Sequence, residues 1–233
     1  TEGQYLADAS GRPIYAVSTS SSGGKTETGK AALKKNFSYL QSVEDFDKDS
    51  PEYKWELRIS PEYVHNLLEQ NGFILGKLAN VRLSTLENPG GDRSPSGRVE
   101  YIIWGGTLGS VKLSGKKMME LLNLNSSFFD VEVGTPAPEV LKVPIENSYG
   151  MEVGKKEIPI KVKEEKKQVW SNFVQSHHVI TGSKDEKIIF HGYGKGHGAG
   201  LSAWGAKGMA GGEEPKSYKE ILAHYYPGTY LVK

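Results

Sequence analysis

Cysteine is absent from this 233-residue chain. That removes disulfides, thiolate metal sites and cysteine nucleophiles together. An excess of either charge is absent too: 29 Lys and Arg face 28 Asp and Glu, leaving a net charge of +1. No global field therefore calls for nucleic acid or an anionic membrane. No apolar run approaches the roughly 18 residues that a membrane-spanning helix needs. A signal-peptide pattern and an initiating methionine are both missing at Thr1, so the chain reads as an excised piece of something longer. What is present is 28 glycines, 11 prolines and 12 tyrosines in a chain that is 37% hydrophobic. This is the composition of a turn-rich, strand-rich globular protein of one large or two modest domains.

Periodicity places the elements. The pattern predicts strands at Gln4–Ala7 and Ile14–Thr19 around a Gly-Arg-Pro turn, followed by a Ser/Gly loop. In "YKWELRIS", Trp55, Leu57 and Ile59 alternate with polar residues, as in a half-buried strand. Ser60-Pro61-Glu62 then opens a helix: serine to cap, proline where no donor is needed, an acid at the positive end of the dipole. Further strands are predicted at Asn80–Leu86, Val99–Trp104, Gly109–Leu113, "FFDVEV", Val169–Phe173 and Ile188–Gly192, with a short helix capped by Ser114. Two helices follow near Ser202–Ala210 and from Ser217, where Glu220 completes a capping box, and "HYYPGTYLV" closes with a turn and a strand. Residues 134–168 are rich in Pro, Gly and Lys and read as an insertion with one or two short strands, such as Ile158–Val162. The run Lys161–Lys167 mixes signs, as a solvated edge does. The expected class is α+β, mostly antiparallel β with a few short helices, a β-rich core plus a smaller inserted β subdomain. The chain divides as 1–133, the insertion 134–168, and 169–233.

Two glycine-rich stretches carry the chemistry. "SSSGGKTE" ends like a phosphate loop at Gly24-Lys25-Thr26, but Thr19 stands where that motif requires glycine, and Gly29 follows closely. Its Ser20, Ser21, Ser22, Gly23, Gly24, Lys25 and Thr26 instead gather hydroxyls, amides and an ammonium suited to a sugar, with Glu27 as the one acid there to weigh. "FHGYGKGHGAGLSAWGA" places five glycines at every second position from Gly192 to Gly200. Gly194-Lys195-Gly196-His197-Gly198-Ala199 fits a loose dinucleotide fingerprint, but only 34 residues follow and the acidic ribose ligand is missing. Neither nucleotide nor nucleic acid is expected as a partner. His177 and His178 are adjacent and would face opposite sides of a strand, while His191 and His197 are six apart, so no metal cluster reads out; a two-histidine zinc site from separate loops is the residual option. His197, between Gly196 and Gly198, has a backbone open enough for a ligand to approach.

The segments "GRPIYAVSTSSSGGKTE", "YLQSVED", "YKWELRIS", "RSPSGRV", "LSGKKMMELLNLNSSFF", "GYGKGHGAGLSAWGAKGMA" and "SYKEILAHYYPGTYL" together resemble the stage II sporulation protein D family, in that family's order. The resemblance implies an extracytoplasmic bacterial protein that acts on peptidoglycan. Sporulation members resemble lytic transglycosylases, which cut peptide-stripped glycan strands to anhydro-muramic ends; others are described as enhancers of a cell-wall amidase. The implied reaction uses one carboxylic acid to protonate the glycosidic oxygen, after which the sugar's own C6 hydroxyl closes the ring, unlike the two-carboxylate scheme. The family's catalytic glutamate lies upstream of the strand resembling Gln4–Ala7, on a segment this chain lacks. His197, Ser202 and Glu27 are the supporting candidates, and Gly194, Gly196, Gly198 and Gly200 join the Ser20–Thr26 loop as the substrate-binding set. Ala203 stands where the family has glutamine and Thr19 where it often has histidine. The histidine-cysteine zinc site of some members has no cysteine here, so no metal or other cofactor is implied. Glycan strands and a cell-wall amidase are the implied partners.

Overall fold

The computed structural model describes residues 3–134, 140–146, 152–159 and 176–233. The class is α+β, and its sheets are almost all antiparallel. A four-stranded sheet has the order β10 (Ser176–Val179), β4 (Leu78–Leu83), β5 (Tyr101–Gly106) and β6 (Gly109–Ser114). A three-stranded sheet places β11 (Lys187–Tyr193) between β3 (Lys54–Ile59) and β7 (Phe129–Gly134). The chain ends meet as β1 (Tyr5–Ala7) and β13 (Tyr230–Val232). One short parallel pair, β2 (Ser18–Thr19) with β12 (Leu201–Ser202), joins the two glycine-rich regions.

These elements follow from the local chemistry. Trp55, Leu57 and Ile59 of β3 turn one half-buried face to the core. In β11, Ile188, Ile189 and Phe190 are all buried, because a central strand covered on both faces needs apolar residues in succession. Helix α2 (Pro61–Gln70) starts under the Ser60 cap and packs Val64 and Leu68 inward; α3 (Gly115–Leu122) starts under Ser114 and packs Met118 and Leu122. Both helices close a core centred on Trp104, Phe129 and Phe190. A second cluster of Tyr39, Leu40, Ile221, Tyr225 and Tyr226 lies under α5 (Tyr218–Tyr225), whose capping box between Ser217 and Glu220 is formed. Helix α4 (Ala203–Gly211) follows β12 directly.

Some elements differ from expectation. Of the strand expected at Ile14–Thr19, only Ser18–Thr19 pairs; Tyr15 is exposed and its N–H donates to the Tyr39 hydroxyl at 3.0 Å. A short helix, α1 (Gly29–Leu33), follows Thr28, whose side chain caps it. Strand β10 was not anticipated, since "SHHV" has no alternation that periodicity registers and is set by its partner β4. The inserted segment contributes a hairpin of β8 (Val140–Glu146) and β9 (Glu152–Pro159). The expected strand at Val169–Phe173, and residues 160–162 of the one at Ile158–Val162, lie outside the described residues.

The alternating glycines have a backbone cause. Gly194, Gly196, Gly198 and Gly200 all have positive φ, between 68° and 103°. A Cβ on any of them would lie within 2.0–2.6 Å of the Ser21 carbonyl, the Thr19 hydroxyl, the Arg98 guanidinium or the Val17 carbonyl respectively. Only glycine permits this conformation and this approach. Gly200→Ala is expected to cost about 2–4 kcal/mol, whereas Gly211→Ala, at a site with no neighbour within 4 Å, should stay within about 0.5 kcal/mol. Equal effects in chemical denaturation would refute this account of the glycine run.

Candidate functional site

The glycine run lies directly against the Ser/Gly loop. Lys195 N–H donates to the Ser21 carbonyl at 2.8 Å, Ser21 N–H to the Lys195 carbonyl at 3.3 Å, and the Thr19 hydroxyl to the Lys195 carbonyl at 2.9 Å. Glu27 N–H donates to the Gly198 carbonyl at 2.9 Å and Trp204 N–H to the Ser20 carbonyl at 3.1 Å. On its other side the loop is held by two buried acids. Asp47 accepts from the Ser21 hydroxyl at 2.5 Å and from the amides of Gly23 and Gly24 at 2.8 and 2.9 Å. Asp45 accepts from the Ser22 hydroxyl and from the Tyr225 hydroxyl, which burial, seconded by this bond, makes harder to ionise. The Thr26 hydroxyl bonds the 41–43 backbone. The hydroxyls of Ser21, Ser22 and Thr26 are thus engaged inside the protein, and in this loop only Lys25 is exposed.

Glu27 and His197 meet in one cleft of about 580 Å³, between α1, the 94–100 segment and the start of α3. Its wall includes Ser94, Arg98 and Ser127, and its rim Lys34, Glu100 and Lys116. Glu27 is 1% exposed. Its Oε1 accepts from Thr28 N–H at 2.7 Å and its Oε2 from the hydroxyls of Ser94 and Ser96. Both oxygens therefore have donors, and the carboxyl group is fully engaged within the protein. Glu100 faces Lys34 at 3.5 Å. His197 Nδ1 accepts from Ala199 N–H at 3.0 Å, which leaves Nε2 to carry the ring proton. Burial, and next the charge of Arg98, hold its pKa below the ordinary 6.5. A neutral imidazole is the result at neutral pH.

Arg98 links the two loops. Its Nη2 donates to the Ser22 carbonyl at 2.8 Å, its Cζ lies 5.4 Å from the centroid of the Phe128 ring, and it fills the space beside Gly198. Ser202, another candidate, is fully buried and accepts from Gly205 N–H at 3.1 Å as the cap of α4. Ala203 begins that helix. Sequence reasoning did not single out Asp45, Asp47, Ser94 or Arg98; the one available signal was two arginines and two serines in the glycine-bearing loop "RSPSGR". Among the described residues no three His, Asp or Glu side chains are grouped to hold a metal. His191 lies instead between Glu56 and Glu132, at 3.3 Å from each.

Chemically, the cleft offers hydroxyls, a neutral imidazole and cations; no carboxyl group lining it is without a bonded partner among the described residues. No protein-family profile matches the chain. Among curated proteins, an uncharacterized protein of Brachyspira hyodysenteriae is 52% identical over 48 residues, 21% of this chain and 12% of that protein. The amidase enhancer of Bacillus subtilis is 27% identical over 249 aligned positions, covering 99% of this chain and 31% of that protein. The matches thus span less than a third of either relative.

Two measurements test this site. Asp47→Ala would strand three donors, two of them buried, and should cost about 3 kcal/mol, read by urea denaturation; a loss under about 1 kcal/mol would mean that the loop holds without it. His197 supplies a pH signature. The unfolded ring takes a proton near 6.5 and the folded ring resists it, so the neutral ring's contribution is full above that pH and falls away as pH drops below it. Between pH 7 and pH 5 the parent should lose more stability than His197→Gln, with His178, also held low by burial, cancelling in the comparison. Parallel pH profiles would contradict the assignment.

Proposed function

We propose that the chain is a peptidoglycan-binding module that acts with a cell-wall amidase on the outer side of a bacterial membrane. The observation that carries this reading is the end-to-end likeness to the amidase enhancer of Bacillus subtilis. The cleft supports it: a glycan presents hydroxyls and N-acetyl groups, and Ser127, His197 and the rim lysines supply short-reach partners. The Ser21, Ser22 and Thr26 hydroxyls bond within the protein, which leaves this cleft with Ser20 and Lys25 as the binding set. Engagement of both Glu27 oxygens favours binding over glycosidic cleavage by these residues.

A second reading, lytic transglycosylase activity in an intact parent, is supported by the sporulation-family motifs. It requires a carboxylic acid from another segment to reach the cleft beside His197. The chain is expected to co-sediment with purified peptidoglycan and to raise the rate of a cell-wall amidase; His197→Ala should weaken binding about threefold while unfolding stays cooperative. Absence of both co-sedimentation and stimulation would end the first reading. Anhydro-muramic ends released from peptide-stripped strands by the full-length parent would establish the second.

A further inference from the structure

Two arginines of the 93–98 loop are buried, and they differ in one respect. Arg93 bonds the carbonyls of Ser84, Gly97 and Phe129 and the Asp130 carboxylate, so all three of its nitrogens have acceptors. Arg98, 3% exposed, has one such bond, from Nη2 to Ser22; its Nε and Nη1 have no acceptor among the described residues. Buried guanidinium donors without acceptors are costly and call for an explanation. Burial pushes this arginine down to about 10, against the opposing charges of Glu27, Asp47 and Asp45. Glu27 supplies charge but no hydrogen bond, since its oxygens receive Thr28, Ser94 and Ser96. Around the cleft the cations Lys34, Arg98 and Lys116 outnumber the carboxylates Glu27 and Glu100 by one, and His197 beside them is held neutral at pH 7. Lys116 is exposed and has no ion-pair partner among the described residues.

We propose that Arg98, with Lys116 on the rim, forms a subsite for a carboxylate, by which the cleft selects an acidic sugar over its neutral counterpart. A small turn of the Arg98 side chain beside Gly198, where no Cβ blocks it, brings an N–H to the ligand oxygen. The choice of a sugar rests on the glycan reading above; the preference for a carboxylate does not. Recognition by one buried guanidinium and one exposed ammonium makes binding salt-dependent and charge-selective.

The test follows the Arg98 Nε–H signal by NMR while the chain is titrated with N-acetylmuramic acid, N-acetylglucosamine or acetate. These probes are a sugar with a carboxylate, a sugar without one, and a carboxylate without a sugar. N-acetylmuramic acid is expected to shift the signal and to bind about tenfold more tightly than N-acetylglucosamine, an advantage that shrinks as salt is raised. Lys116→Ala should lower that affinity about threefold without changing the melting temperature, which keeps the test open should Arg98→Met fail to fold. If the two sugars bind equally and the Arg98 signal stays still, the subsite is overturned while the glycan reading survives. If acetate shifts the signal and neither sugar binds, the carboxylate subsite stands and the glycan reading falls. A signal unmoved by all three probes would make Arg98 a purely structural tie and overturn the proposal.

Discussion

The site depends on a close approach of two backbones. Residues 194–200 lie against residues 17–23 so tightly that carbonyls, a hydroxyl and a guanidinium occupy the space where side-chain carbons would stand. Four left-handed glycines make that contact, and reciprocal amide bonds between Ser21 and Lys195 fix its register. Asp45 and Asp47 hold the Ser/Gly loop from its other side, and α5 adds the Tyr225 hydroxyl. The cleft is a consequence: once the loops are locked, Glu27 and His197 are brought to the same wall.

That construction determines what the cleft can do. Acids buried here serve as acceptors for loop amides and hydroxyls, which keeps them occupied. The groups left to meet a ligand are donors and cations. A donor-rich wall suits capture of a polyhydroxylated, carboxylate-bearing polymer better than protonation of a leaving group. This is why the binding reading leads, and why a cleavage reading needs an acid from outside the cleft.

Much of the scaffold was legible because local chemistry agreed with it. Ser60, Ser114 and Ser217 each cap a helix, and the alternation in β3 is seen in its burial. Ile14–Thr19 reads as a strand by composition, yet its side chains stay largely outside and only two residues pair. Helix α1 was hidden by Gly29, a weak helix former tolerated because its Cβ position is filled by Leu40 and the Lys35 carbonyl. The site was legible only in part. Glu27 and His197 stood out for their glycine-rich surroundings, whereas Arg98 and Asp47 act through long-range pairing that no local spacing reveals. The serines show the reverse case: hydroxyls in a polar loop look available to a ligand, but two buried carboxylates hold those of Ser21 and Ser22.

The central claim is that this cleft receives glycan. Backbone amide NMR with a short peptidoglycan oligosaccharide tests it most directly. The account predicts shifts concentrated at Ser94–Arg98, Gly196–Gly198 and Ser114–Lys116. Shifts confined instead to the separate groove lined by His65, Lys77 and Lys184, with the cleft unmoved, would contradict it.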